Sequence, residues 1–294
     1  MEARTTSHLM ILNTIRSIEF LKSVVILSPR QGSTKQEGGF REMATTLWTQ
    51  GIIDPSSQAN AMVTQRGQKM ATLAPERLLG PLNDVERKYA PSKLFTMGPM
   101  ETPLPRPRVA IIGSRKASPD GLAAAARIAS VLSRKGVLIV SGLAEGIDTE
   151  AHKTAIEEGG RTIAVLGTPL NRTFPAKNWQ LQKEIMTHHL AISQFPIGYP
   201  IQPKNFAIRN RTMALISNAS IIVEAGERSG SLHQGWEALR LGRPLFLWKS
   251  IGRNSSLSWP KRMVSYGALE LTDPKHVLNV LPSSKRISEI TLRI

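Results

Sequence analysis

Glycine, serine and arginine side chains recur where apolar runs of this chain end, and these residue types bind phosphate groups. Gly113-Ser114-Arg115 follows the apolar run 109–112 and precedes a helical pattern. Backbone N–H groups, the positive end of a helix dipole and a guanidinium would therefore meet at one place, which favours a phosphate. The alternative is a tight turn that needs Gly113 and leaves Arg115 on the surface. The spacing differs from the dinucleotide fingerprint G-x-G-x-x-G.

Three further segments have the same character. In 141–148 (SGLAEGID), a serine and a glycine end a strand pattern and allow a ligand to approach the backbone. The densest cations are in 204–211 (KNFAIRNR), at a predicted helix start, where we expect Arg209 and Arg211 to fork toward one anion. An amide and a ring that could stack on a base lie beside them, and a solvated charged turn is the alternative. The segment 229–231 (SGS) adds hydroxyl and N–H donors. The predicted phosphate- or DNA-binding residues are Gly113, Ser114, Arg115, Ser141, Gly142, Lys204, Phe206, Arg209, Asn210, Arg211, Ser229, Gly230 and Ser231.

Asp148 and His152 are four residues apart on one predicted helix, a spacing that lets their side chains form a hydrogen bond. We expect Asp148 to cap this helix and the pair to hold the loop in a structural role. A hydrolytic triad with Ser141 is the alternative, but the nucleophile-elbow context is missing. The adjacent His188 and His189 face different ways and the chain has no cysteine, so we predict no metal site and no cofactor.

Apolar runs of β type alternate with helical patterns between residues 108 and 250. This alternation predicts an α/β fold, a doubly wound, mostly parallel, Rossmann-like sheet with flanking helices. Ligands of such sheets bind at the carboxyl ends of the strands, where the four segments would converge. The predicted strands are 109–114, 137–141, 162–166, 190–193, 219–224 and 244–248, and the predicted helices are 119–135, 148–158, 178–187, 206–216 and 232–241.

Changes in amino-acid composition along the chain predict how the rest of it is divided into segments. Residues 1–74 are predicted to be a poorly ordered or atypical N-terminal extension, and 75–107 a lead-in with short helices and a proline-rich linker. The Rossmann-like domain would occupy 108–250. The segment 251–294 would add peripheral helices, predicted at 256–266 and 273–281.

The chain is strongly basic, with 38 Lys and Arg against 22 Asp and Glu. Half of the formal charge of +16 lies in residues 108–250, so it belongs to the folded domain and not to a tail. We expect a polyanionic partner, nucleic acid before anionic lipid, and a generic basic surface is the alternative. Charges interrupt the apolar run 9–27 and cysteine is absent, so we expect a cytoplasmic protein without a membrane span.

These motifs resemble those of the DprA/Smf family of DNA-processing proteins. The resemblance implies an extended Rossmann-like fold that binds single-stranded DNA in a basic pocket and hands it to the recombinase RecA, in DNA recombination or natural transformation. It also implies a homodimer without catalytic activity, with 113–115 and 209–211 as the main DNA contacts. The matching segments are 113–115 (GSR), 141–148 with Ala151-His152, 162–167 (TIAVLG), 174–178 (FPAKN), 209–211 (RNR), Glu224-Ala225 and 229–232 (SGSL).

The chain departs from the family pattern at Gln194, where glutamate is usual, at Ala207, where proline is usual, and at 233–235 (HQG). A second resemblance, to cytokinin-activating phosphoribohydrolases, is limited to 209–213 (RNRTM) and 225–234 (AGERSGSLHQ). Their catalytic glutamate is replaced here by Gln234, whose amide cannot act as a general acid or base. The alternative function is therefore binding of a nucleotide or nucleotide-derived ligand, with or without phosphoribohydrolase-like hydrolysis.

Overall fold

The computed structural model describes residues 70–282, which form one β-sheet with helices on both faces. The strands are β1 Ala71–Leu73, β2 Leu94–Met97, β3 Arg108–Gly113, β4 Leu138–Ser141, β5 Thr162–Leu166, β6 Leu190–Ser193, β7 Ala219–Glu224, β8 Leu245–Trp248 and β9 Leu269–Leu271. The helices are α1 Pro75–Leu79, α2 Asp84–Tyr89, α3 Pro119–Ser133, α4 Ile147–Glu157, α5 Trp179–His188, α6 Pro203–Ile216, α7 Ser231–Arg240, α8 Lys249–Gly252 and α9 Trp259–Ser265. Two 3₁₀ helices lie at Ala176–Asn178 and Pro274–Asn279.

Within these residues the sheet has nine strands in the order β1-β2-β6-β5-β4-β3-β7-β8-β9. The seven strands from β6 to β9 in this order are parallel, whereas β2 pairs antiparallel with β6 and with β1. The chain first builds outward from β3 through β4, β5 and β6, and then returns to place β7 on the other side of β3. Connections leave β3 and β7 in opposite directions, which opens a crevice at their carboxyl ends.

The alternation of side chains along β3 divides the core between the two faces of the sheet. Val109 and Ile111 pack on the face covered by α3 and α4, and Ala110 and Ile112 on the face covered by α6 and α7. All four side chains are at most 2% exposed. A strand that is apolar on both faces is typical of the centre of a parallel sheet. The carboxyl end of β3 therefore lies in the interior of the sheet, with packed side chains on both faces.

The helix that follows β3 begins at a defined cap. The Ser118 hydroxyl accepts the Gly121 N–H at 3.0 Å, and Pro119 occupies the first helical position. Both features favour a helix start, because the hydroxyl satisfies a free N–H group and proline lacks one. The cap fixes where α3 begins and thus the length of the loop that joins it to β3.

The predicted fold class is confirmed, and each predicted strand overlaps an observed one. Three strands were not predicted: β1, β2 and β9 extend the two edges of the sheet. The predicted helix 256–266 is the shorter α9, and the predicted helix 273–281 is a 3₁₀ helix. The prediction of a poorly ordered extension falls mostly on residues 1–69, outside the described residues, whereas Ala71–Leu73 form β1. Within residues 70–282 no helix is long and apolar enough to cross a membrane.

Candidate nucleic-acid-binding site

A cavity of about 950 Å³ opens at the carboxyl ends of β3 and β7, where the strand order reverses. The loops that follow these two strands form two of its walls, and α6 forms a third. Each of the four segments singled out in the sequence contributes to the lining, 141–148 through Ala144 and Asp148. The predicted ligand-binding residues that line the cavity are Gly113, Ser114, Arg115, Phe206, Arg209, Asn210, Ser229, Gly230 and Ser231.

The end of β7 holds the loop after β3 in place. The Ser114 N–H donates to the Glu224 carbonyl at 2.8 Å, and the Glu224 carboxylate accepts the Ser118 N–H at 3.2 Å and the Ser118 hydroxyl. This carboxylate is thus engaged in fixing the loop. The next two side chains, Arg115 and Lys116, are exposed and line the cavity, where they can reach an anionic ligand.

The wall opposite this loop joins α6 to the start of α7. The Asn210 side-chain amide donates to the Gly230 carbonyl at 3.0 Å, and the Ser229 and Ser231 hydroxyls form a hydrogen bond of 2.6 Å. α7 begins at Ser231, and the N–H groups of Ser231 and Leu232 donate to the Ser229 hydroxyl at 3.4 Å and to the Ser229 carbonyl at 3.1 Å. The two serine hydroxyls lie at the positive end of the helix dipole, a position that suits a phosphate group.

Arg209 lies at the floor of the cavity and is only 4% exposed. Its Nη1 atom donates to the Val165 carbonyl at 3.2 Å and is 3.8 Å from the Asp148 carboxylate, which accepts the N–H groups of Gly142 at 3.1 Å and Ala144 at 3.4 Å. Burial raises the pKa of Asp148 and lowers the pKa of Arg209, and the charge of each acts against this effect. Since the two charges compensate each other, the pair adds little net charge to the cavity.

The predicted Asp148–His152 hydrogen bond is wrong, as is the prediction that Asp148 caps α4. The cap residue is Gly146, and the Asp148 carboxylate instead accepts hydrogen bonds from the backbone N–H groups of Gly142 and Ala144 in the preceding loop. His152 is fully buried, with Nδ1 hydrogen-bonded to the Thr162 hydroxyl at 2.6 Å. Burial, together with the charges of His189 and Arg209, lowers the pKa of His152 to about 3. The ring is therefore neutral at pH 7.

Two phenylalanine rings meet at the mouth of the cavity. The Phe206 and Phe174 ring centroids are 5.2 Å apart, and Phe174 is 45% exposed. The Arg115 guanidinium lies 5.4 Å from the Phe206 centroid, within the range of a cation–π contact. A Cβ atom on Gly167 would come within 2.6 Å of the Phe206 ring, so only glycine lets the ring lie where it does. Rings and a cation side by side form a surface on which an unpaired base can stack.

Comparison with known proteins agrees with this geometry. Residues 75–282 match the family described as DNA recombination-mediator protein A. The chain belongs to this family. The recombination-mediator family includes the relatives that the sequence motifs resemble, so the resemblance to DprA/Smf proteins is confirmed.

Among the relatives of this chain, the DNA processing protein DprA of Streptococcus pneumoniae is 40% identical over 157 residues, which are 53% of this chain and 55% of that protein. A crystal structure of DprA from the same species has a TM-score of 0.61 at 31% identity and covers 79% of each chain. The structure of Helicobacter pylori DNA processing protein A, described for its single-stranded DNA binding mode, has a TM-score of 0.61 at 26% identity and covers 72% of this chain and 95% of that one. The chain spans about half the length of the first curated relatives it matches.

Four of the predicted ligand-binding residues lie outside the cavity lining. The Ser141 hydroxyl is buried and donates to the Ile111 carbonyl at 2.7 Å, so it ties β4 to β3. Gly142 lies behind Arg209, and Lys204 is exposed on the first turn of α6. Arg211 is half exposed and pairs with Glu237 at 3.3 Å, so Arg209 and Arg211 do not converge on one anion as predicted.

The cavity of this family member also contains residues that the sequence reasoning did not select: Phe174, Lys116, Arg228, His233 and Gln234. Lys116 and Arg228 directly adjoin predicted motifs, and their positive charge next to phosphate-type loops was a usable signal. Gln234 gave no such signal, since it is fully buried and its Nε2 donates to the Ser220 hydroxyl at 2.9 Å. Among residues 70–282 no group of His, Cys, Asp and Glu side chains could hold a metal ion.

Proposed function

We propose that this chain binds single-stranded DNA in the cavity between β3 and β7. The observation that carries the proposal is the charge of the lining. It contains one carboxylate, that of Asp148, and four cationic side chains, those of Arg115, Lys116, Arg209 and Arg228. Since Asp148 is close to Arg209, three exposed cations remain beside the serine hydroxyls of two loops. A chain of phosphates complements such a wall, because each contact releases counterions from the nucleic acid.

The aromatic rings favour a single strand over a duplex. In a duplex the faces of the bases are covered by their neighbours, whereas in a single strand they are free to stack on a protein ring. Phe206 and the exposed Phe174 provide such rings beside the cation of Arg115. The relative from Helicobacter pylori, with its described single-stranded DNA binding mode, supports this choice.

We infer that the chain binds DNA without hydrolysing it or any nucleotide. A phosphoribohydrolase-like reaction would need a general acid or base where Gln234 lies, and an amide cannot exchange a proton at neutral pH. The Gln234 amide is instead used in the core, where it donates to Ser220. His152 is neutral, buried and bonded to Thr162, which argues against a role in proton transfer.

Family membership supports a wider role in DNA processing. We infer that the protein acts in DNA recombination or natural transformation, as a cytoplasmic homodimer that hands single-stranded DNA to a RecA-type recombinase. Light scattering on the purified full chain measures the oligomeric state. Retention of a RecA-type protein on the immobilised chain, with and without an oligonucleotide, measures the second interaction; a monomer, or no retention in either case, would contradict these inferences.

A fluorescence anisotropy titration tests the DNA proposal directly. We expect the full chain to bind a labelled single strand more tightly than a duplex of the same length. Arg115→Ala and Arg228→Ala should each weaken binding several-fold on every sequence, because they contact the backbone and not the bases. Lys153→Ala, which removes an exposed cation outside the cavity lining, should change nothing. Equal affinity of wild type and both arginine variants would refute the proposal.

The alternative ligand, a nucleotide or nucleotide-derived molecule, is separated by thermal unfolding. A saturable rise in the unfolding temperature with a mononucleotide, together with no effect of single-stranded oligonucleotides, would favour the alternative. The donors at Ser229 and Ser231 suit a terminal phosphate as well as a backbone phosphate. A rise with oligonucleotides alone supports the DNA proposal.

A further inference from the structure

Exposed aromatic rings and cations lie close together along residues 172–183, the segment that leaves the cavity mouth. Phe174 and Trp179 are 45% and 46% exposed. Exposed cations of the same segment are Arg172, Lys177 and Lys183. Rings and cations on one segment supply both faces on which bases can stack and partners for phosphates. Of the residues in this segment, only Phe174 is among the DNA contacts proposed above.

The backbone beneath these rings is held by two buried amide side chains. The Asn178 Nδ2 donates to the Leu143 carbonyl at 3.0 Å and to the Thr149 hydroxyl at 2.8 Å, and the Gln182 Nε2 donates to the Leu170 carbonyl at 3.0 Å. Asn178 is 6% exposed and Gln182 is 3% exposed. The segment is therefore fixed to the body of the domain, and a ligand that stacks on its rings does not have to order the backbone first.

The segment is continuous with the cavity. Phe174 lines the cavity and contacts Phe206, and the 3₁₀ helix Ala176–Asn178 separates it from Trp179, the first residue of α5. Lys183 is four residues further along α5, so it lies next to Trp179 on the helix surface. Rings and cations thus extend from the cavity mouth onto the first turns of α5.

We propose that Trp179 is a second base-stacking position, which a single strand reaches after it leaves the cavity over Phe174. Lys183 contacts the phosphates beside it, while Lys177 is partly neutralised by Glu145 at 2.7 Å. The occupant is unpaired nucleic acid, because flat rings complement base faces, the cations complement phosphates, and the surface adjoins a wall suited to the same polymer. This inference rests on the proposed function and extends the length of strand that the protein covers.

Oligonucleotides of two lengths test this second position on the full chain. An oligothymidylate of about 4 nucleotides fills the cavity, and one of about 20 also reaches α5. We expect Trp179→Ala to weaken binding of the longer strand about tenfold, the order of effect known for one lost base–aromatic stack, and to leave the shorter strand unaffected. Trp179→Phe keeps a ring and should bind the longer strand nearly as wild type does. Lys183→Ala should weaken binding of the longer strand only, and by less.

The outcomes separate this inference from the proposed function. If wild type binds both lengths and Trp179→Ala binds each as tightly as wild type, the second position does not exist and the cavity proposal stands. A loss of the same size on both lengths also overturns the inference, because it places Trp179 in the cavity or in the fold. If wild type binds neither length, the proposed function is refuted, and the second position is refuted with it. The unfolding temperature of each variant, measured alongside, identifies a folding defect.

Discussion

Gly142 determines where the Arg209 guanidinium can lie. A Cβ atom at this position would be 1.2 Å from the Arg209 Nη1 atom, so alanine forces the guanidinium away from Asp148. We expect Gly142→Ala to lower the free energy of unfolding by about 3 kcal/mol, because separating the pair leaves each buried charge without its counter-charge. Urea unfolding measures the loss. Gly226→Ala is the matched control, since no atom lies within 4 Å of its added Cβ. Equal unfolding midpoints for the two variants would contradict this arrangement.

His152 makes the stability of the fold depend on pH in a predictable direction. Its pKa is about 3 in the folded protein, mainly because burial disfavours the imidazolium, and about 6.5 in an unfolded chain. Between these values the unfolded chain takes up a proton and the folded one does not, so stability falls as pH drops below 6.5. At pH 5 we expect a loss of about 2 kcal/mol from this group.

The variant His152→Gln isolates this contribution. Its free energy of unfolding should change less between pH 7 and pH 5 than that of wild type, whatever its absolute stability. His276→Gln replaces an exposed histidine and should keep the pH dependence of wild type. Unfolding by urea at several pH values gives the comparison, and parallel curves for wild type and His152→Gln would contradict the burial argument.

Helical periodicity explains why Arg209 and Arg211 could not both contact the ligand. Residues two apart on a helix point about 200° away from each other, so a cavity on one side of α6 receives only one of them. Arg209 points into the core beside Asp148, and Arg211 reaches Glu237 on α7. The sequence interpretation treated them as a fork at a helix start. The spacing was available in the sequence, and applying it would have separated the two roles.

At the scale of the elements, Arg108 ties the proline-rich linker to the end of α6. Its side chain is fully buried and donates from Nε to the Ile216 carbonyl at 2.6 Å and from Nη1 to the Leu104 and Pro105 carbonyls at 2.7 and 3.0 Å. Burial lowers the pKa of Arg108 to about 9, so it remains charged at pH 7. These hydrogen bonds join the start of β3 to the end of α6 and to the linker before β3.

Replacing Arg108 should therefore weaken the whole domain. We expect Arg108→Met to lower the free energy of unfolding by about 3 kcal/mol, because three carbonyls lose their donor and two of these hydrogen bonds are buried. Arg134→Met removes an arginine whose exposed side chain pairs with Glu158, and it should destabilise the fold far less, because an exposed ion pair contributes little. Chemical unfolding compares the two variants. A cost for Arg108→Met no larger than that for Arg134→Met would show that the tie contributes little.

The central sheet could be predicted from the sequence because the six parallel strands from β6 to β8 in the sheet order are buried on both faces, and helical patterns lie between them along the chain. The same reasoning missed β1, β2 and β9, which have three or four residues and depend on pairing with distant strands. β2, for example, pairs antiparallel with β6, about a hundred residues later. Local patterns are weak for such short segments, since tertiary contacts decide whether they are strands.

For the molecule as a whole, the question is whether DNA would bind at the cavity or over a surface that is basic everywhere. The formal charge of +16 alone would support weak binding anywhere, and such binding would not depend on any single residue. Binding at the cavity would instead involve mainly the three exposed cations Arg115, Lys116 and Arg228. The two cases differ in how affinity responds to salt.

Each phosphate contact on a single strand contributes about −0.7 to the slope of log K against log salt concentration. With an oligonucleotide short enough to fill only the cavity, three contacts predict a slope of about −2, and Arg228→Ala should bring it to about −1.4. Lys153→Ala, which leaves the net charge equal to that of Arg228→Ala, should keep the wild-type slope. Anisotropy titrations at four salt concentrations give these slopes. If both variants reduced the slope equally, total charge would govern binding and the cavity would have no special role.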